Sequence, residues 1–165
     1  MNSVSNKANM KCILKAVTIL LCFAAFMMMA ACDKEDDSEF SVDPESVVSD
    51  ILQNVEFESE MQEIDIDALS IMYTVEENVQ GVAYIAGGAL ADEVVIFTAP
   101  DEAAAGKMLQ NAQDHIKERS DLFADYAPAE AAKLDKAYVK QRGCYVVVCV
   151  AGNIDQAKTV IEKYF

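Results

Sequence analysis

One run constrains the fold of this chain more than any other: Cys144-Tyr145-Val146-Val147-Val148-Cys149-Val150, led in by Gly143. It is apolar on both faces and so reads as a central strand. A central strand needs neighbours. Lys136 to Gln141 alternates just before it, and Val79–Ile85 and Val94–Thr98 read as two more strands joined by a turn around Gly87-Gly88.

Helices punctuate these strands. Asp43-Pro44-Glu45 has the form of a helix start, with Asp as N-cap, Pro at the first position and an acid in the first turn. Val47, Val48, Ile51, Leu52 and Val55 then recur at helical spacing, which predicts a helix to about Asn54. Pro100-Asp101-Glu102 opens a long helix to about Phe123, with Ala105, Met108, Leu109, Ala112, Ile116 and Phe123 as its apolar stripe. Pro128 marks a break before a short helix to Leu134, and Asn153 caps a last helix facing inward with Ile154, Ala157, Val160, Ile161 and Tyr164. Residues 57–67 are acidic and ambiguous, and the patch Leu69 to Val75 suits a helical turn or a strand equally. The order helix, strand, strand, helix, strand, strand, helix predicts an α+β fold. We expect a small antiparallel sheet of about four strands in two strand-strand-helix units, preceded by the N-terminal helix and with its helices on one face.

The first 31 residues contribute to none of this. Met1 to Lys15 is polar and positive, and Ala16 to Ala31 runs apolar but for Thr18. That run spans about 24 Å as a helix, short of the roughly 30 Å hydrocarbon core, so it reads as a secretory signal peptide and not as a membrane span. Met29-Ala30-Ala31-Cys32 resembles the bacterial lipobox, with Met29 where Leu is usual. In that motif the small residues enter the peptidase cleft, and the cysteine thiol becomes the thioether to diacylglycerol. Two acyl chains would hold the protein by an amount on the order of 20 kcal/mol. The chain thus divides into a signal peptide over 1–31, an acidic tether over 32–42 and a single domain over 43–165. The expected location is the extracytoplasmic face of the cell membrane, anchored through Cys32.

Charge is divided at the same cysteine. All 28 acidic residues lie after it, whereas Lys7, Lys11 and Lys15 of the 13 basic residues lie before it, leaving 10 basic against 28 acidic and a net charge of −18. Such a field repels phosphate backbones, so nucleic acid is excluded as a partner. Of the cysteines, Cys12 and Cys22 leave with the signal and Cys32 takes lipid. Cys144 and Cys149, five apart on one strand, would hold their Cα atoms about 17 Å apart, too far for a disulfide, and read as small buried hydrophobes.

Few other residues group into chemistry. Asp65-Ile66-Asp67 with Glu76 matches three positions of a calcium loop, but Leu69 and Ser70 stand where an oxygen ligand and a glycine are needed. His115, the only histidine, flanks the apolar stripe of the long helix and reads as a surface or boundary residue. Gly81, Gly87 and Gly88 lack phosphate-loop spacing. No metal, cofactor or catalytic set is implied.

From about Leu69 to the end the chain resembles the family numbered 4358 among domains of unknown function, a family of small bacterial lipoproteins. The carriers are Ala91-Asp92-Glu93 entering a strand, Arg119 late in the long helix, Tyr126-Ala127-Pro128 after it and Gly143-Cys144-Tyr145 opening the last strand. Tyr73 matches the family's tyrosine, but Thr74 follows where glycine is frequent. The resemblance implies a fold and a location, and no activity. Within it, Glu93 and Arg119 are expected to pair and tie strand to helix by a bidentate contact, or else to line a ligand site. The leading expectation is a surface module that binds or scaffolds an envelope protein partner. The alternative is a small envelope hydrolase using carboxylates with Tyr126 or His115.

Overall fold

The computed structural model describes residues 40–165. The signal peptide, Cys32 and most of the tether therefore lie outside the described residues. Helix α1 (Pro44–Asn54) is followed by β1 (Met61–Ile64), α2 (Ile66–Met72), β2 (Gln80–Ala86) and β3 (Glu93–Thr98). Then come α3 (Glu102–Phe123), α4 (Pro128–Leu134), β4 (Tyr138–Arg142), β5 (Tyr145–Val150) and α5 (Ile154–Ile161). The strands form one five-stranded sheet in the order β1-β2-β3-β5-β4, every neighbouring pair antiparallel.

The α+β class stands, and the run Tyr145–Val150 is an inner strand between β3 and β4. The extra strand is β1, drawn from the ambiguous acidic segment. It is a short edge strand whose middle residues, Gln62 and Glu63, are exposed, so it lacks the alternation that marks a half-buried strand.

The helices do not lie on one face, as expected from their order, but on both. Val95, Phe97, Ala83, Val146, Val148 and Val150 face α2, α3 and α4. Val94, Ile96, Val147 and Cys149 face α1 and α5. The physical reason is the two-sided apolarity of the inner strands: Val94 to Phe97 and Val146 to Val150 are all 0% exposed, and one layer of helices could cover only half of them.

Local chemistry fixes the helix starts. Asp65, Asp101 and Asn153 accept hydrogen bonds from the amides of Ala68, Ala104 and Gln156 at 2.8, 2.8 and 3.2 Å. Asp65 settles Leu69 to Met72 as helix. Asp43 departs from the expected cap, since its side chain accepts from the Ser46 hydroxyl and caps no backbone amide. Gly88 holds φ +74° in the β2–β3 connection, where a side chain would be strained. Gly81 lies within β2 instead, leaving room for Leu69 of α2 to pack against the strand.

Candidate functional site

The residues Ala91-Asp92-Glu93 enter β3 where α3, α4 and the end of α2 converge. Glu93 is the first residue of β3 and is 0% exposed. Its side chain points to the α3 layer, as strand alternation requires of a residue in phase with Val95 and Phe97. There Arg119 Nη1 donates to Oε2 at 2.6 Å and the Tyr73 hydroxyl donates to Oε1 at 3.0 Å. The pair is not bidentate: each carboxylate oxygen has a different donor, and Arg119 Nη2 turns to the carbonyl of Leu90 at 3.4 Å.

His115 lies one helical turn before Arg119, so both reach the same face of α3. It is buried, not the surface or boundary residue expected, because the Tyr73 ring covers it with centroids 3.8 Å apart. Its Nε2 is 3.9 Å from Glu93 Oε2 and has no hydrogen-bond partner. Burial, reinforced by the charge of Glu93, raises the ionisation of Tyr73 well above its usual range, which keeps the hydroxyl a donor.

A second ionic cluster adjoins the first. Asp92 and Glu130 are buried, and Lys133 of α4 reaches Glu58, Glu130 and Asp92 at 2.6, 3.1 and 3.4 Å. Two backbone amides complete it: Ala91 donates to Glu130 at 2.7 Å and Glu58 to Asp92 at 3.2 Å. Burial works against the Lys133 ammonium, but the surrounding carboxylates outweigh it and raise its ionisation above the ordinary lysine value.

Expected residues separate on this map. Glu93, Arg119 and His115 come together, whereas Tyr126 is 64% exposed and stacks on Phe123. Asp65 is spent on its cap, and Glu76 is engaged by Asn111 and Lys107 at 3.2 and 3.7 Å. Among the described residues no group of three or more His, Cys, Asp or Glu is arranged to hold a metal ion. Sequence alone marks Tyr73 and Asp92 only as family positions and gives no sign of Lys133, Glu130 and Glu58. One signal was available: two adjacent acids at the mouth of an apolar strand require buried cations nearby.

The buried carboxylates are engaged from within, and the second cluster meets solvent at Glu58, whose side chain is 52% exposed. Glu93, Asp92 and Glu130 line neither the hollow beside Ile116 and Val139 nor those beside Gly81 and Leu122. Their oxygens are taken up from within, which suits holding elements together more than receiving a substrate.

The model of the family described as "Domain of unknown function (DUF4358)" matches residues 53–151, more than half of the chain. This chain belongs to the DUF4358 family. The DUF4358 match runs from the end of α1 to just past β5 and so contains both ionic clusters entire. It begins earlier than the resemblance read from Leu69 onward and leaves α5 and most of α1 outside. No curated protein and no solved structure matches this DUF4358 chain.

Proposed function

We propose that this DUF4358 chain is a lipid-anchored extracytoplasmic protein whose domain binds or scaffolds a partner at the cell envelope. The anchor half of the reading is supported by Met29-Ala30-Ala31-Cys32 with DKEDDSE after it, a run of charge that cannot enter a bilayer. Among the described residues no helix is long and apolar enough to cross a membrane. The binding half is supported by one observation: the buried carboxylates of Glu93, Asp92 and Glu130 are engaged inside the fold by Arg119, Lys133 and the Tyr73 hydroxyl. A hydrolase would need two carboxylates converging on an open cleft.

Fractionation of cells expressing the chain and its Cys32→Ser variant tests the anchor. The parent is expected in the membrane pellet, released by detergent, and the variant in the soluble extracytoplasmic fraction. Full retention of the variant in the pellet would refute lipid anchoring. Crosslinking on intact cells, followed by recovery of the tagged protein, tests the module: one dominant protein partner is expected, and turnover of envelope esters or glycans by the purified protein would overturn the reading.

A further inference from the structure

The end of α3 carries an apolar pair that the fold does not use. Leu122 is 68% exposed and Tyr126 64% exposed, four residues apart on the surface. Tyr126 is held in place: its ring lies on Phe123 with centroids 5.2 Å apart, and the Arg119 guanidinium sits 5.6 Å from the other ring in that stack. Since Arg119 is itself fixed by the buried Glu93, the exposed tyrosine ends a ladder rooted in the core. An aromatic ring immobilised before contact loses little entropy on binding, the property of an interface anchor.

The surroundings select a partner. Glu118, Asp121 and Asp125 are exposed around the pair, and Lys117, the cation beside them, is taken by Asp121 at 2.7 Å. Leu122 shares with Glu118 and Asp121 a hollow of about 410 Å³. Asp121 also borders a second, mixed hollow of about 450 Å³, where Ile116, Leu134, Ala137 and Val139 stand beside Gln113, Lys117, Ser120 and Asp135. The two hollows share Asp121.

The position of the pair is also informative. The described chain starts at Phe40, which lies under the Arg142 guanidinium at 4.1 Å and against Gly143 of the β4–β5 turn. The start of α3 is at that same turn, where Gln141 Nε2 donates to the Glu102 carbonyl at 3.2 Å. The helix then runs for 22 residues, about 33 Å, so Leu122 and Tyr126 lie at the opposite end of the domain from the point where the tether joins.

We propose that this end of α3 is a docking surface for a protein segment in which basic side chains alternate with aliphatic ones. The aliphatic groups cover Leu122 and its hollow, while the cations meet Glu118 and Asp125 and the face of Tyr126. This proposal rests on the binding half of the reading above and does not depend on the lipid anchor.

Titration of the full lipidated protein in detergent with three labelled synthetic peptides tests this: alternating lysine–leucine, glutamate–leucine and lysine–serine. The lysine–leucine peptide is expected to bind, more weakly in high salt, and the other two not. Leu122→Ser, Tyr126→Ser and Glu118→Lys are each expected to weaken it about tenfold, the loss typical of an anchor residue. Thermal melts identical to the parent will show that these surface variants still fold. Equal affinity in the variants, or equal binding of the glutamate–leucine peptide, would overturn the proposal. So would a parent dimer that Leu122→Ser dissolves, since the surface would then take a second copy. The Cys32→Ser protein separates the two readings: it should keep peptide affinity whether or not it leaves the membrane.

Discussion

Replacing Arg119 by Met removes the cation from a carboxylate that has no access to water. Glu93 is 0% exposed, and Arg119 Nη1 at 2.6 Å is its charged partner, with the Tyr73 hydroxyl as its other donor. Truncating one member of a buried pair costs about 3–5 kcal/mol, because the survivor keeps its desolvation penalty without its compensation. Domains of this size have a total stability of about 5–15 kcal/mol, so roughly a fifth or more is at stake, and the melting temperature should fall by roughly 10–20 °C. Urea unfolding followed by far-UV circular dichroism measures the loss in a chain that has no tryptophan. Adding Glu93→Gln to Arg119→Met should recover much of it, since a neutral amide can still accept from Tyr73 and carries no buried charge. A loss below about 1 kcal/mol, the size of an exposed ion pair, would refute the reasoning. Failure of Glu93→Gln to rescue would refute it equally.

Three further outcomes follow from the same core. His115→Phe keeps the ring against Tyr73 and deletes the unpartnered Nε2, so it should stabilise the domain by about 1 kcal/mol, read as a higher urea midpoint. Cys149, Tyr73 and Lys133 all hold their protons more tightly in the fold than their ordinary values of 9.0, 10.0 and 10.5. The unfolded chain therefore binds fewer protons above those values, and stability present at neutral pH should fall as pH rises beyond about 9. Tyr73→Phe should flatten that fall in denaturation profiles across pH. Ile51→Ala, in the helix that covers the second face of the sheet, should cost about 2–5 kcal/mol in the same urea assay, whereas a helix loosely laid on the sheet would lose almost nothing.

The legible parts of the fold were those whose periodicity is long or whose caps are explicit. Helix α3 has six apolar positions in register and Asp101 at its start, so its bounds could be read directly. Strand β1 could not be read, because four residues with two exposed in the middle carry no pattern. Helix α2 was hidden by its β-branched and aromatic neighbours, and the deciding residue was Asp65, whose side chain bonds the amide of Ala68. The second helical layer is implicit in Val146-Val147-Val148, whereas the order of elements alone suggests one layer. Glu93 and Arg119 were found as a pair through their places in the family pattern. The contacts of Tyr73, Lys133 and Glu130 are not legible in the sequence, because these residues reach 91–93 only once α2, α3 and α4 have crossed the sheet. The burial of His115 depends on the same crossing, through a ring 42 positions earlier in sequence.

The first rung between the two hairpins pairs Glu93 with Val150. Side chains alternate along a strand, so a slip of one residue in β3 would turn Glu93 to the face of α1 and α5, among Val48, Ile51 and Ile161. Of the cations held by the carboxylates at this point of the fold, Arg119 and Lys133 both belong to helices on the other side. A misaligned sheet would thus bury a naked carboxylate in hydrocarbon. Valine-rich strands are otherwise forgiving about alignment, since one valine replaces another at little cost. A buried carboxylate at the ladder's end makes every odd-numbered slip unequal to the native alignment.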